Sequence, residues 1–158
     1  MKNELSCMLT GCLDPTMQAQ GIYKLNEETV RYGLTLSSEA ALRVVQSHRQ
    51  TLRETKRLEF GGKTAEKIVD AFKDSSYIHQ HNYEATLCQL VETFYYYKNE
   101  TKDQIGDDRL IEIMRDRFEN TCHGSLELLH HKAMDQIVTE QNRGIDHNDT
   151  EEVNIERY

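Results

Sequence analysis

Apolar positions recur at helical spacing in one segment of the chain after another. Between Ser38 and about Leu58, the residues Ala41, Val44, Val45 and Leu52 share one arc of a helix, and Ser37 or Ser38 supplies an N-cap. Arg49, Arg53, Lys56 and Arg57 occupy the adjoining arc, so this segment reads as an amphipathic helix with a basic flank. Phe60-Gly61-Gly62 breaks the pattern. Ala65, Ile68, Val69 and Phe72 then predict a helix from Thr64 to about Lys73, closed by the turn chemistry of Asp74-Ser75-Ser76. After a loop or single turn over 77–82, Leu87, Leu90, Val91 and Phe94 mark a buried face between Tyr83 and about Lys98. A polar loop from Asn99 to Gly106 leads to a helix capped by Asp107 or Asp108. Its stripe is Leu110, Ile111, Met114 and Phe118, with Asp108, Glu112, Asp116 and Glu119 on the neighbouring face. Cys122-His123-Gly124 reads as a turn and Ser125 as the cap of a last helix carrying Leu126, Leu129, Ala133 and Ile137. Upstream, Asn26-Glu27-Glu28 opens a helix that ends at Gly33, and Leu34-Thr35-Leu36 is an extended link. The first 15 residues carry no assignable pattern.

No stretch alternates as a strand would, and 1 proline with 8 glycines in 158 residues favours long helices over a many-turned β fold. The expected fold is therefore all-α, a compact array of five to six helices forming a single domain over residues 1–142. Beyond Asn142 the periodicity stops. Asp146, Asp149, Glu151, Glu152 and Glu156 outnumber Arg143 and Arg157 there, so residues 143–158 are expected to form a disordered acidic tail. The apolar share of 37% lies below the roughly 45–50% of ordinary globular chains, which implies a lean core.

Charge narrows the field of partners. A net charge of −8 is unsuited to sequence-independent nucleic-acid binding, which displaces counterions with a basic field. No window approaches the roughly 20 apolar residues of a membrane helix. Four cysteines, Cys7, Cys12, Cys88 and Cys122, are scattered without a secretory signal. Leu9-Thr10-Gly11-Cys12 has the look of a lipoprotein cleavage box but lacks the apolar run that such a signal needs. Reduced thiols in the cytoplasm are the expectation.

The candidate chemistry is fragmentary. Gly62-Lys63-Thr64 has the tail of a phosphate loop, but Arg57 stands where the first glycine belongs. Glu127-Leu128-Leu129-His130 has the spacing of a di-iron bundle helix without a second copy. His79, His81, Cys122, His123 and His130 are the best raw metal ligands, yet no spacing rule joins them into a four-ligand site. Asp146-His147-Asn148-Asp149 fails as a calcium loop at Glu151 and Arg157. No cofactor is implied. Tyr95-Tyr96-Tyr97 is different: consecutive helical residues point about 100° apart, so at least one ring must lie near the surface.

The runs Tyr32-Gly33-Leu34-Thr35-Leu36-Ser37, Glu59-Phe60-Gly61-Gly62 and Asp74-Ser75-Ser76-Tyr77-Ile78 follow one another in the chain. After them come Phe94-Tyr95-Tyr96-Tyr97-Lys98-Asn99-Glu100, the Asp107-Asp108 helix start and Gly124-Ser125-Leu126-Glu127. Together they resemble a family of small bacterial proteins of unknown function, across roughly residues 26 to 130. The resemblance implies a bacterial cytosolic setting. It brings no activity, cofactor or catalytic residue with it, and its pattern does not require histidines at 79 and 81. The expected function is a non-enzymatic helical interaction or regulatory module that meets a protein partner or a second copy. Its contact residues would be drawn from Tyr95, Tyr96, Tyr97, Arg49, Arg53, Lys56 and Arg57. The alternatives are a metal-binding protein or enzyme built on the histidines and cysteines, and an anion or nucleic-acid site along the basic helix flank.

Overall fold

The structure of the chain, a computed structural model, describes residues 14–59 and 63–142. It opens with a helix to which the apolar pattern was blind. α1 spans Pro15–Lys24, with the Asp14 carboxylate accepting from the Thr16 N–H at 2.7 Å and Pro15 at its first position. α2 is a single turn, Asn26–Thr29, that tightens into a 3₁₀ turn over Val30–Tyr32. Gly33 ends it at a φ of 78°, the left-handed conformation in which a side chain would be strained.

The extended link after Gly33 is held by two side-chain amides. Asn26 accepts from the Leu36 N–H and donates to the Leu36 carbonyl, both at 2.8 Å. Gln80 treats Thr35 in the same way, at 2.8 and 2.9 Å. Each amide satisfies a donor and an acceptor, as a neighbouring strand would. Leu34 and Leu36 are thereby anchored in the core.

α3 runs Ser38–Glu54 and is capped by Ser37, whose hydroxyl accepts from the Ala40 N–H at 3.0 Å. The helix ends four residues before the expected Leu58, because Thr55 turns its hydroxyl back onto the Thr51 carbonyl and Lys56 adopts a φ of 58°. α4 spans Thr64–Phe72 and α5 spans Tyr83–Glu100, preceded by a 3₁₀ turn at Gln80–Asn82. α6 spans Asp107–Asp116, with Gly106 rather than an aspartate at its cap and both Asp107 and Asp108 in its first turn, where carboxylates favour the helix dipole. It continues as a π turn over Arg117–Thr121. The last helical stretch is α7, Leu126–Leu128, a π turn at Leu129–Ala133 and α8, Met134–Asn142.

α1 packs on α3, α3 on α5, and α5 with α4 and α6. Their stripes meet in one core that includes Val44, Val45, Ile68, Phe72, Leu87, Leu90, Phe94, Leu110, Met114, Leu129 and Ile137. Phe72 and Phe118 meet edge to face with centroids 5.5 Å apart. Gly124, at a φ of 84°, lies so close to Tyr77 that a Cβ would stand 2.5 Å from the ring. The all-α reading holds: every regular element among the described residues is helical. No helix among them is long and apolar enough to cross a membrane. The expected tail over 143–158, the cleavage-box residues 9–12, the calcium-loop residues and Gly61-Gly62 lie outside the described residues.

Candidate functional site

The three consecutive tyrosines of α5 leave the helix in three directions. Tyr95 and Tyr97 are buried, at 2% and 1% exposure, whereas Tyr96 is 42% exposed. Tyr95 and Tyr97 are thus removed from the expected contact surface, and each builds a different polar centre on its own side of the helix.

On the Tyr95 side, its hydroxyl donates to Glu59 Oε2, which also accepts from the Thr64 hydroxyl at 2.9 Å. His48 Nε2, from the buried face of α3, lies 3.0 Å from the same phenol oxygen and 3.2 Å from Glu59 Oε1. The phenol gives its own proton to Glu59, so a hydrogen on that nitrogen completes the chain His48–Tyr95–Glu59. His48 Nε2 thus lies within ion-pair distance of Glu59 Oε1 without a hydrogen bond between them, and Oε1 is buried without a hydrogen-bond partner among the described residues. Beside it is a cavity of about 120 Å³, lined by Gln18, His48, Arg49, Leu52, Arg57, Leu58 and Glu59.

The basic flank of the sequence is divided among these surroundings. Arg49 donates to Gln18 Oε1 at 2.9 Å, tying α3 to α1. Arg57 lies 5.9 Å from the Tyr95 ring centroid and donates to Asn99 and to both oxygens of Asp103. Its guanidinium holds the Asp103 carboxyl below the usual carboxylate range. Arg53 turns along its own helix to Gln50 at 2.7 Å, and Lys56 sits in the left-handed turn. The continuous basic face therefore does not form, since α3 ends before Lys56 and Arg57. The acidic face of α6 pairs elsewhere, with Lys67 on Asp108 at 3.1 Å and Arg115 on Glu119 at 3.6 Å.

On the Tyr97 side, the phenol donates to Asp135 Oδ1 at 2.8 Å and lies against the His130 carbonyl. Burial, reinforced by the Asp135 carboxylate, pushes the Tyr97 phenol far above its ordinary range. His130 Nδ1 is 3.1 Å from the Thr93 hydroxyl, which fixes the imidazole. Tyr96 tilts over that imidazole at a centroid distance of 5.1 Å, and His131 meets it edge-on at 4.8 Å.

The candidate ligands do not assemble. His79 and His81 stack on each other at 5.8 Å, Cys122 is buried, and His123 sits in the turn at a φ of 49°. Among the described residues no three His, Cys, Asp or Glu side chains are gathered so as to hold a metal ion. Cys88 and Cys122 are free thiols, and burial pushes both above the ordinary thiol value.

His48, Glu59, Thr64 and Gln18 were absent from the expected site. His48 was the detectable one: it is a polar residue four positions after Val44 and four before Leu52, on the apolar arc itself. The sequence profile of one protein family matches residues 21–147, a longer span than the resemblance suggested. The chain belongs to that family, a family of unknown function, DUF6323. No curated protein is significantly similar to it, and neither is any solved structure. Two runs that carried the resemblance, the one beginning at Glu59 and the one containing Tyr95, meet where the Tyr95 hydroxyl donates to Glu59.

Proposed function

We propose that this chain is a non-enzymatic interaction module whose contact surface is centred on Tyr96, and that its partner is a protein segment rich in arginine or lysine. The observation that supports this reading is an exposed tyrosine ring held in place from beneath. Tyr96 rests edge-on against buried Tyr97 at 4.9 Å and over His130, which the Thr93 hydroxyl fixes. A contact residue that is already ordered loses little side-chain entropy on binding. Glu92 and Glu100 lie one turn to either side on the same exposed line of α5, and neither forms an ion pair among the described residues. An aromatic face between two carboxylates suits a guanidinium or ammonium group, through cation–π attraction and charge. It repels a phosphate backbone. We place this function in the bacterial cytosol, which suits the two free thiols.

The test is a titration of arginine- and lysine-containing peptides against the intact chain at low and moderate salt. Cationic peptides are expected to bind, and Tyr96→Ala should weaken them by about tenfold, equivalent to ~1.4 kcal/mol. Binding that is indifferent to Tyr96→Ala, or no binding at low salt, would refute the reading.

A further inference from the structure

The exposed Tyr96 ring keeps its inner face over an imidazole. The His130 ring lies 5.1 Å from it, tilted by 32°, and His131 meets His130 edge-on at 4.8 Å. A cation within about 6 Å of a tyrosine ring is attracted to its face. A charged His130 therefore draws from below on the same ring that a partner's cation approaches from above. Histidine is the side chain that ordinarily changes charge between about pH 5 and 8. The Thr93 hydroxyl, 3.1 Å from His130 Nδ1, suits either charge state, since it donates to a bare nitrogen and accepts from a protonated one. Proton uptake thus leaves that contact intact and changes the charge beneath Tyr96.

The other charged and titratable groups around the imidazole come from three directions. α5 brings Tyr97, whose phenol is raised far above its ordinary value, and Glu92 and Glu100 on its exposed line. The stretch that carries His130 brings Glu127, Lys132 and Asp135, the last holding the Tyr97 hydroxyl. The π turn Arg117–Thr121, packed against the turn Leu129–Ala133, brings Arg117 and Glu119, and Glu119 is engaged with Ser75 and Arg115. Carboxylate, lysine and arginine side chains ordinarily titrate outside the range from about pH 5.5 to 8. We propose that proton uptake by His130, with His131 beside it, turns the Tyr96 surface off: it holds a cationic protein segment while the imidazoles are neutral and releases it when they are charged. The new positive charge opposes that of the partner and offsets Glu92 and Glu100. This regulation rests on the Tyr96 reading and deepens it.

The experiment titrates the full chain with an arginine- and lysine-containing peptide, capped at both ends and free of histidine and carboxylate, at equal ionic strength. Between about pH 8 and about pH 5.5 the unaltered chain should lose roughly five- to tenfold in affinity. A variant carrying His130→Gln and His131→Gln should bind about equally at both. Linkage is reciprocal, so saturating peptide should lower the His130 titration midpoint, followed by its ring-proton NMR signal, by about 0.7–1 pH unit. That shift needs no variant and carries the test if the glutamine variant does not fold. Equal affinity at the two pH values, an unmoved midpoint, or a pH response undiminished in a folded glutamine variant would each overturn the proposal and leave the Tyr96 reading standing. Absence of binding at about pH 8 would remove the Tyr96 reading and this regulation with it.

Discussion

Tyr95 and Tyr97 are two residues apart on the same helix, equally buried, and each hydroxyl donates to a carboxylate; yet the centres they build behave differently. At Tyr97 the carboxylate belongs to Asp135, an exposed residue of α8 that solvent can also reach. Beneath Tyr96 that centre is closed, with the hydroxyl, the His130 carbonyl and the Thr93 hydroxyl all engaged. At Tyr95 the carboxylate belongs to Glu59, which is mostly withdrawn from water; one oxygen accepts from Tyr95 and Thr64, and the other lies 3.2 Å from His48 without a hydrogen bond among the described residues. A satisfied polar network fixes a structure, whereas a partly satisfied one is costly to keep buried. The two sides of α5 separate those roles, one supporting a rigid outer surface and the other surrounding an inner space.

Removal of either ring should have the largest effect and should not distinguish the two sides. Tyr95→Ala and Tyr97→Ala each delete a fully buried aromatic, and urea denaturation should show losses of about 3–5 kcal/mol for both. The phenylalanine variants then separate them. Tyr95→Phe takes the donor from Glu59 and the acceptor from His48, two groups with little access to water, so a loss of about 2–3 kcal/mol is expected. Tyr97→Phe leaves Asp135 free to turn to solvent and should cost about 1 kcal/mol. Equal losses in the two phenylalanine variants would end the contrast.

Alkaline pH tests the Tyr97 side. Burial raises the phenols of Tyr97 and Tyr83 above their ordinary value, the first with help from Asp135 and the second against a hydrogen bond with Thr29. A raised folded-state pKa leaves stability intact below the unfolded value near 10 and removes it as the pH climbs beyond that point. Urea midpoints between about pH 9.5 and 11 should therefore fall, by up to ~1.4 kcal/mol per pH unit for each tyrosine. The Cys88 and Cys122 thiols, raised by burial in the same direction, add to that fall, and Tyr97→Phe should remove only the Tyr97 share of it; an unchanged slope would show that Tyr97 ionises as easily folded as unfolded.

The Tyr95 side has a weaker electrostatic counterpart at Arg57 and Asp103. Because the folded-state pKa of Asp103 is lowered, its contribution is present above the ordinary carboxylate range near pH 4 and is lost as the pH falls through the lower value. The carboxylate is half exposed, so solvent screening limits Asp103→Asn to a loss of about 0–1 kcal/mol at pH 7. That difference should shrink toward zero on acidification, as equilibrium unfolding at pH 7 and below pH 3 can show.

The chain made its helices legible wherever apolar residues repeated at full strength. Ile68, Val69 and Phe72, or Leu110, Ile111 and Met114, leave no other periodicity available. α1 went unread because only Ala19 and Ile22 of its ten residues are buried, although Asp14-Pro15 was an adequate start signal. The candidate site was harder to see for a different reason. Glu59 meets Tyr95 36 positions away, and His48 meets Tyr95 47 positions away, separations that helical spacing does not address. The basic flank misled because a projection at constant angle carries Lys56 and Arg57 onward around a helix that has already ended at Glu54. Tyr96 was the legible part: three consecutive rings on a helix cannot all face inward, and this one does not.

Its stability effect should accordingly be the smallest. Tyr96 gives one edge to Tyr97 and one face to His130, and the rest of the ring is open to solvent. Tyr96→Ala removes no hydrogen bond from the Tyr97–Asp135–His130 centre, so denaturation should move by no more than about 0.5 kcal/mol. A loss above roughly 1 kcal/mol would mean that the ring is needed to shield the centre beneath it, and its exposure would then be a consequence of packing. A near-neutral result joined to a tenfold loss of cationic-peptide affinity would separate the two roles. The buried tyrosines on either side would set the position of the helix, and the one between them would be left to meet a partner.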